Sequence, residues 1–432
     1  MNMTTPIHDF LEKYSKTAPL RLHMPGHNGE VPHDITEIEG ADSLFDVTET
    51  SKGIIAKSEK NAAEVFGTDR TCYSCGGSTL AIQAALGILK AQGCKTIAAS
   101  RYSHKSLITA ATLLRLNIKW LYPEEYLHAD VDFGGDALNG ADAVFTTNVD
   151  YLGGTCRIPD TKLPVVVDNA HGAYLKFVNK EKFGRKYLHP TEFGIPVISA
   201  ESAHKTLPVL TGGAYLHFAG GTDFSRAKEM MAMFGSSSPS YLIMESLDNC
   251  NKLLYNHPDL VNHACAAVAQ LKEQLAAFEI PILESDPLRV VVKAWEYGYN
   301  GFNYSDKLRA NGVECELADR NHVVLLFSAA TTVKDCQRAL TAMTLIPKKK
   351  PIFKAQYPVV KPKAALPIYD AVFMPQKKVP LAKAIGFVCG EIKAPCPPCI
   401  PVVMPGEIID DSTAEALRLY NVKEISVITK VR

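Results

Sequence analysis

Short apolar runs, many of them β-branched, alternate with longer apolar stretches of helical length through the first half of the chain. Residues 164–168 read PVVVD, a run that is typical of a strand buried on both faces of a parallel sheet. Residues 78–92 are apolar on most helical faces, which predicts a buried helix. The predicted strands are 96–100, 118–122, 143–147, 165–168, 197–201 and 213–218. This alternation predicts an α/β fold with a mostly parallel sheet.

The pattern changes along the chain, and these changes predict the domain organisation. After residue 240, the apolar runs RVVVKAW and HVVLLF lie among helical stretches and predict a smaller α+β domain. A basic, proline-containing stretch then predicts a solvated linker. The predicted boundaries are 1–60 for an N-terminal arm, 61–240 for the large domain, 241–346 for the smaller domain, 347–364 for the linker and 365–432 for a C-terminal α/β domain.

Composition and charge narrow the classes of function. The 432 residues include 46 Lys and Arg and 46 Asp and Glu, so the formal net charge is zero. A hydrophobic content of 47% excludes a mainly disordered chain, and a dedicated nucleic-acid binder is not expected without a basic excess. No apolar stretch approaches the length of a membrane span, and the N-terminus lacks an apolar leader. We therefore expect a cytoplasmic protein that binds neither nucleic acid nor membrane.

Eleven cysteines are scattered along the chain, which is typical of reduced thiols rather than of a disulfide framework. Two pairs, Cys72/Cys75 and Cys396/Cys399, have the C-x-x-C spacing that can supply four thiolates to zinc. One pair lies against a glycine loop and the other brackets two prolines, and neither has the composition of a zinc ribbon. We therefore expect no metal.

A glycine-rich loop, Cys75-Gly76-Gly77-Ser78-Thr79, lies directly before the predicted buried helix. Glycines let the backbone approach an anion, and the first N–H groups of the helix together with two hydroxyls can bind it. The loop is a candidate phosphate site, although the same residues can serve simply as a loop and a helix cap.

Three further candidates stand near the ends of predicted strands. Asp168 ends the PVVV run, where ligands bind in open α/β sheets, although an aspartate there can also cap the next helix. Lys205 follows small and apolar residues; a desolvated lysine attacks carbonyls, whereas a solvated loop lysine does not. His104, in RYSHKS, can stack on a ring or have a structural role.

The phosphate loop, the strand-end aspartate and the lysine follow one another in the order that pyridoxal phosphate requires on a doubly wound sheet. The phosphate, the pyridine nitrogen and the aldehyde of this cofactor are three groups at fixed separations. Each has a matching residue here, so the combination predicts pyridoxal 5′-phosphate as the cofactor.

Motifs along almost the whole chain resemble those of the Orn/Lys/Arg decarboxylases, which are fold-type I pyridoxal phosphate enzymes. The most specific are SAHKTLP (202–208) and SSSPSYLIMESLD (236–248). The others are MPGHNG (24–29), the GGST loop, SRYSHKS (100–106), TTNVDYLGG (146–154), VDNAHGAYL (167–175) and CIPVVMPGE (399–407). The resemblance implies an aspartate aminotransferase-like large domain and decarboxylation of a basic amino acid.

The resemblance also implies roles for individual residues. Lys205 is expected to hold the cofactor's aldehyde, Asp168 its pyridine nitrogen, and His104 is expected to stack on its ring. Lys205 or His204 is expected to return a proton to the substrate. The other residues implied to bind the cofactor are Gly77, Ser78, Thr79, His171, Ser202, Ser237 and Ser238, and His204 is implied to line the cofactor as well.

Substrate binding and assembly follow from two further motifs of the family. Glu407, in the PGE motif, is expected to meet the distal cation of the substrate, with Glu316 and Asp319 as alternatives. The SSSPSY segment reaches into a neighbouring subunit in this family, so the resemblance implies a homodimer or a higher homo-oligomer.

The chain departs from the family pattern at two places near the substrate. The usual aromatic-Pro-Pro-Gly is Cys396-Pro397-Pro398-Cys399 here, and PGHK is PGHN with Asn28. The absence of an N-terminal regulatory wing is typical of the shorter biosynthetic members, and this favours arginine over lysine or ornithine and a role in polyamine biosynthesis.

Two alternatives to decarboxylation stay open. One is an aminotransferase or aldolase on the same fold, although residues 322–332 contain no arginine that could clamp an α-carboxylate. The other is a catalytically silent regulatory paralogue, which the CPPC departure leaves possible.

Overall fold

The computed structural model describes residues 3–36, 53–124, 128–393 and 401–429. In these residues the α-helices are α1 (Pro6–Lys16), α2 (Ile54–Phe66), α3 (Gly77–Ala91), α4 (Lys105–Leu114), α5 (Lys180–Phe183), α6 (Ala203–Thr206), α7 (Ala227–Phe234), α8 (Tyr241–Asn256), α9 (Leu260–Ala277), α10 (Gly301–Ala310), α11 (Val333–Thr344), α12 (Ile368–Ala371) and α13 (Asp411–Leu419). The strands are β1 (Arg70–Ser74), β2 (Thr96–Ser100), β3 (Asn117–Leu121), β4 (Ala143–Thr147), β5 (Val165–Asp168), β6 (Val197–Glu201), β7 (Ala214–Ala219), β8 (Ile282–Leu283), β9 (Arg289–Lys293), β10 (Leu317–Ala318), β11 (His322–Leu326), β12 (Gln376–Pro380) and β13 (Glu424–Ile428).

The chain packs as two compact units, each assembled from segments that are distant in sequence. The first unit consists of Met1–Gln92, Pro164–Ala267 and Phe327–Val333. The second consists of Gly93–Leu163, Val268–Leu326 and Lys334–Arg432.

In the first unit the strands follow the order β1-β7-β6-β5. β5 and β6 are parallel, whereas β7 runs antiparallel to both β6 and β1. These strands are almost completely buried, as their apolar composition requires. The apolar helix α3 packs against β6 and β7, so the glycine loop before α3 lies on the same unit as the ends of β5 and β6.

The N-terminal helices are fastened to this unit by helix-end contacts. α2 ends at Phe66 and is followed by Gly67, whose φ of 63° is a left-handed conformation that glycine adopts without strain. α1 packs against α2 and α8. Asp248 of α8 accepts hydrogen bonds from the N–H groups of Ile7 and His8 at 2.9 and 3.1 Å. The carboxylate thereby satisfies N–H groups that have no partner within the helix.

The second unit contains three groups of strands. β4, β2 and β3 are adjacent and parallel, and β10, β11, β9 and β8 form an antiparallel sheet. β12 and β13 form an antiparallel pair whose core includes Ile425, Val427 and Leu417 of α13. Asp410 caps α13 by accepting a hydrogen bond from the N–H of Thr413 at 2.7 Å.

The predicted α/β class and most of the predicted strands are confirmed. β2, β4, β5 and β6 have the predicted bounds, and β3 and β7 are shifted by one residue. β1 was not singled out, because its sequence, RTCYS, has no clear apolar pattern. The antiparallel direction of β7 was not predicted either, since an apolar run does not encode the direction of its neighbours.

No helix in the described part of the chain is long and apolar enough to cross a membrane. Of the two C-x-x-C pairs, Cys72 is buried in β1, and the Cys75 thiol contacts the carbonyl oxygen of Ser240 at 3.6 Å. Burial raises the pKa of Cys75 to about 12, so this group remains a thiol at neutral pH. Cys396 and Cys399, and the CPPC departure with them, lie outside the described residues.

Candidate active site

The carboxyl ends of β5 and β6 bring two of the predicted residues to one edge of the sheet. The parallel register places Asp168 opposite Ala200, and the next N–H, of Asn169, donates to the carbonyl of Ala200 at 2.9 Å. β6 ends at Glu201, and the short helix α6 that follows carries Lys205. Since ligands of open α/β sheets bind at this edge, Asp168 and Lys205 lie where the sequence predicted them.

Lys205 is half-buried, and its Nζ lies 3.0 Å from Nε2 of His171. His171 is 7% exposed and belongs to the loop that follows Asp168. Because both groups are nitrogens, one must donate and the other accept, so the hydrogen bond orients the lysine amine. The structure therefore brings Lys205 and His171 together.

Asp168 is 4% exposed. Its Oδ1 accepts a hydrogen bond from the N–H of Ala170 at 3.0 Å. A carboxylate has a second oxygen, and a buried one that faces a cationic ring nitrogen favours the protonated form of that nitrogen.

The glycine loop contacts the segment that precedes Lys205. The Oγ atoms of Ser202 and Ser78 are 2.8 Å apart, and the N–H of Gly77 donates to the carbonyl of Gly212 at 2.8 Å. Gly77 has a φ of +67°, and a Cβ there would meet no heavy atom within 4 Å. The backbone at the start of α3 is thus open on the side where a side chain would stand, as close approach of an anion requires.

His204, beside Lys205, is half-buried, and its Nδ1 lies 3.0 Å from the carbonyl oxygen of Gly213. A ring nitrogen next to a carbonyl oxygen must carry the proton, so Nδ1 is the donor here. Nε2 is therefore the position of His204 that remains for acid–base chemistry.

Thr79 and Ser238 line one cavity of about 340 Å³ in the first unit, together with Cys75, Gln83, Phe234 and Ser236. Ser237 and Ser238 are exposed and precede α8, whose first turn is capped by Ser240. The cavity thus has walls from both the serine-rich segment and the glycine loop of the same chain. Whether the segment also serves a neighbouring subunit stays a prediction.

Two of the predicted residues belong to the second unit. His104 is the N-cap of α4, and its Nδ1 accepts a hydrogen bond from the N–H of Ser106 at 3.2 Å. Glu407 is 5% exposed and makes a bidentate ion pair with Arg101, with oxygen–nitrogen distances of 2.6 and 2.8 Å. Glu407 also accepts from the N–H of Met404 at 2.9 Å. Its charge is thus balanced within the protein, a partnership that the sequence did not indicate.

Glu407 also lines a cavity of about 320 Å³ in the second unit, and its other walls include Trp120, Met404, Pro362 and residues 364–368. Of the alternatives to Glu407, Asp319 is buried and accepts from the N–H groups of Asn321 and His322 at 2.6 Å each, while Glu316 is exposed. The carboxylate of Asp319 therefore stabilises the turn between β10 and β11, whereas the carboxylate of Glu407 lines a cavity.

A buried carboxylate, which sequence reasoning missed, joins the strand ends that carry the site. Glu201 is 0% exposed and accepts hydrogen bonds from Nδ2 of Asn169 at 2.9 Å and from Oγ of Ser199 at 3.0 Å. Its oxygens also lie 2.7 Å from Nε2 of His189 and 3.5 Å from Nε2 of His217. The signal that could have found it is an acidic residue inside an otherwise apolar, fully buried strand, since acids are almost never buried without partners.

Opposing effects act on the charge of this cluster. Burial by itself would raise the pKa of Glu201, but the two imidazoles hold that pKa well below its usual range. Burial lowers the pKa of His217, against the attraction of Glu201. At neutral pH, Glu201 is therefore an ionised carboxylate that holds Asn169, next to Asp168, in place.

The first unit's residues fit the three functional groups of pyridoxal phosphate. Asp168 offers a buried carboxylate to a ring nitrogen, and Lys205 offers a half-buried amine to an aldehyde. Ser78, Ser202 and the open backbone at Gly77 offer hydroxyls and a helix N-terminus to a phosphate. The donor set and the open space at Gly77 both suit this cofactor.

Comparison with known proteins agrees with this chemistry. Residues 155–287 match the family described as Orn/Lys/Arg decarboxylase, major domain. The arginine decarboxylase of Bacillus subtilis is 27% identical over 463 residues, which cover 94% of this chain and 91% of that protein. The lysine decarboxylase of Francisella novicida has a TM-score of 0.78 at 17% identity, covering 99% of this chain and 81% of that one. The constitutive lysine decarboxylase of Escherichia coli has a TM-score of 0.79 at 15% identity, with 99% and 82% covered.

The fold is thus that of the fold-type I pyridoxal phosphate enzymes. The chain is similar to the Orn/Lys/Arg decarboxylases, whose cofactor is pyridoxal 5′-phosphate, and the residues of the first unit fit that cofactor.

We expect Glu201→Gln to lower the free energy of unfolding by about 3 kcal/mol at pH 7, because the change removes the charge from a buried pair. The folded-state pKa of Glu201 is lowered, so its stabilisation is complete above the ordinary carboxyl pKa and decreases as the pH falls below it. The difference between wild type and variant should therefore shrink by about 1.4 kcal/mol for each pH unit below about 4.5. Urea unfolding at pH 7 and pH 4 measures both values.

The control for this experiment is Glu64→Gln, which changes an exposed glutamate of α2. It should leave the stability within about 0.5 kcal/mol of wild type. A Glu201→Gln deficit of the same size at both pH values would contradict the charged state assigned to Glu201.

Proposed function

We propose that this protein decarboxylates a basic amino acid, with arginine favoured over lysine and ornithine, and that it serves polyamine biosynthesis. The observation that carries the proposal is the pairing of Lys205 with His171 beside the buried carboxylate of Asp168. An amine for the aldehyde and a carboxylate for the ring nitrogen are the two requirements of pyridoxal phosphate chemistry. Identities of about 25% to arginine decarboxylases support arginine only as the favoured substrate.

In this proposal, bound pyridoxal phosphate supplies an electron sink for the bond to the departing carboxylate. Asp168 would hold a proton on the pyridine nitrogen, because a buried carboxylate that faces this nitrogen favours its protonated form. Lys205 Nζ would hold the aldehyde, and His171, 3.0 Å away, would orient that amine. After CO₂ has left, Lys205 Nζ or His204 Nε2 returns a proton to the substrate's Cα.

The contacts of Arg289, in the strand that pairs with β11, favour decarboxylation over transamination. Residues 322–326 form β11, which contains no arginine and pairs with β9, where Arg289 lies opposite Leu326. Arg289 is 1% exposed, and it is engaged by the carboxylate of Asp286 at 3.2 Å and by the carbonyl of Asp150. Because Arg289 is buried and paired with Asp286, its guanidinium is not exposed to clamp the α-carboxylate of a substrate, which supports decarboxylation over transamination.

For the substrate's distal cation we propose Glu407, which lines the cavity beside Trp120 and Met404. Its pairing with Arg101 means that a substrate cation must share the carboxylate with this guanidinium or displace it. A guanidinium substrate can replace the two hydrogen bonds that Arg101 makes, whereas an ammonium meets the carboxylate as a point charge. This argument also favours arginine.

We further propose a homodimer or a higher homo-oligomer in the cytoplasm. The exposed serines of the SSSPSY segment support an intersubunit role, because their hydroxyls are accessible to a second chain. Buried free thiols such as Cys72 and Cys250 are typical of a reducing compartment.

The direct test of the function is CO₂ release from arginine, lysine and ornithine by the cofactor-loaded protein. Release from none of the three would leave the silent paralogue as the better description.

Lys205→Ala should abolish both CO₂ release and covalent attachment of the cofactor, because the variant lacks the amine at the end of β6. Treatment with borohydride followed by mass spectrometry should find the cofactor on the peptide that contains residue 205 in wild type and nowhere in the variant. Lys182→Ala, in the exposed α5, is the matched control and should behave as wild type. A reducible adduct that persists on Lys205→Ala would assign the cofactor to another lysine.

Asp168→Asn should keep the fold but slow turnover strongly and weaken cofactor binding. The amide cannot hold a proton on the ring nitrogen, and each unit by which that nitrogen's pKa falls corresponds to about 1.4 kcal/mol of differential stabilisation. The measurement is kcat for the best substrate together with the absorbance of the bound cofactor. Turnover close to that of wild type would exclude the proposed role.

Glu407→Gln should raise KM for the cationic substrate more than tenfold and leave the absorbance of the cofactor unchanged. Breaking a buried charge pair costs about 3–5 kcal/mol, so the variant should also unfold at a lower temperature. Glu391→Gln, another glutamate of the second unit, is the control for KM. A loss of stability with an unchanged KM would assign Glu407 to Arg101 alone and remove it from the substrate site.

A further inference from the structure

Two histidines and a glutamate converge at one point of the first unit, outside the cofactor site. His8 lies on α1, His33 lies in the segment that follows it, and Glu245 lies on α8. Nδ1 of His8 is 2.6 Å and Nδ1 of His33 is 2.8 Å from the same oxygen, Oε1 of Glu245. One ligand atom from each residue lies within 4.8 Å of the others. Two imidazole nitrogens and a carboxylate oxygen are donors that zinc prefers in proteins.

The backbone around this cluster is fixed by a second carboxylate. Asp248, one turn beyond Glu245 on α8, accepts from the N–H groups of Ile7 and His8 with one oxygen and from Oγ of Ser58 with the other. These hydrogen bonds hold the first turn of α1 against α8. His8 and Glu245 therefore meet in the fold itself, which lowers the cost of assembling a site.

The outer nitrogen of His33 also has a partner that suits a metal ligand. Nε2 of His33 lies 3.4 Å from Oε1 of Glu12, whose other oxygen pairs with Lys16 at 2.9 Å. Histidines that bind a metal almost always direct their second ring nitrogen at a carboxylate, a carbonyl or water, which fixes the tautomer. His33 has this arrangement, with Nδ1 towards the cluster and Nε2 towards Glu12.

The charge of the cluster favours a cation. Among the described residues, Glu245 has no lysine or arginine partner, so its carboxylate is met only by the two imidazoles. In a tetrahedral site with bonds of about 2.1 Å, the ligand atoms lie roughly 3.4 Å apart. Oε1 of Glu245 is now 2.6 and 2.8 Å from the two imidazole nitrogens, so it must move away from them by less than about 1 Å to admit the ion. The side chains of His8, His33 and Glu245 are 35%, 21% and 12% exposed, which leaves room for water as a fourth ligand.

We propose that His8, His33 and Glu245 form a binding site for one divalent transition metal of the zinc class, with Glu12 orienting His33. The metal fastens the N-terminal arm to α8, the helix that begins directly after the serine-rich segment. Because the ion binds the folded arm and not the unfolded one, it raises the stability of the protein.

The test uses the full-length, cofactor-loaded protein, freed of metal by a chelator and titrated with zinc chloride against a chromogenic indicator. Wild type should bind one equivalent. Glu12→Gln should weaken binding by about tenfold, as expected for a residue that orients a ligand. His33→Ala and Glu245→Gln should weaken it further, and Glu245→Gln keeps the size of the side chain and one hydrogen-bond acceptor, so that folding is preserved.

The matched control is His27→Ala, which removes another histidine of the arm whose Nε2 lies 3.3 Å from Asp34, outside the cluster. It should bind zinc as wild type does, and zinc should raise its unfolding temperature but not that of Glu245→Gln. Binding that is undiminished in both His33→Ala and Glu245→Gln would place the ion elsewhere. Binding no stronger than that of the indicator background would leave the cluster as a carboxylate with two hydrogen-bonded imidazoles, and either result overturns the proposal.

Discussion

Glu201 lies at the end of β6, where it accepts hydrogen bonds from Asn169 and Ser199 and lies beside two imidazoles, so it joins the segment after Asp168 to the strand that precedes Lys205. Through Asn169 it fixes the chain next to Asp168, and through the backbone it fixes Ser202, the first residue of the lysine segment. An isolated charge in such a place would be too costly to bury, so the surrounding donors are a condition of the fold. The parallel register of β5 and β6 places Asp168 and the segment of Lys205 at one edge of the sheet. The contacts of Glu201 stabilise that edge, so Asp168 and Lys205 do not have to.

The second unit uses a buried charge in the same way. Arg101 is 1% exposed, donates to Glu407 and to the carbonyl of Val402, and lies over the ring of Trp120 at 5.2 Å. His104 follows three residues later in the same turn after β2. A buried ion pair contributes little net stability compared with an apolar replacement, but removal of one partner is expensive. Such a pair restricts the path of the backbone, and here it restricts the loop after β2 that carries His104.

Sequence patterns predicted the elements that consist of long apolar runs and the residues that end them. β2, β4, β5 and β6 were found because a strand buried on both faces has little freedom in composition, and Asp168 stood out because it interrupts such a run. The partners of buried charges could not be found in this way. Arg101 and Glu407 are separated by 306 residues, so only the folded chain brings them together. Glu201 and His189 are closer in sequence, but the segment between them has no pattern that indicates their contact. Glu407 was identified as an acid of interest from its motif, but nothing in that motif indicates that an internal arginine already neutralises it.

The division between the units also bears on how substrate choice can vary. The residues proposed to meet the phosphate, the pyridine nitrogen and the aldehyde of the cofactor belong to the first unit, whereas His104, which is proposed to stack on the ring, belongs to the second. Glu407, Trp120 and the chain around residues 362–368 belong to the second unit and depend on a different buried charge. The two buried charges are independent, because Glu201 is held by residues of the first unit and Glu407 by Arg101 of the second. A substitution beside Glu407 therefore leaves the contacts of Glu201, Asp168 and Lys205 unchanged. Under the proposed role of Glu407, the preference for one amino acid can change without a change in the residues proposed to hold the cofactor.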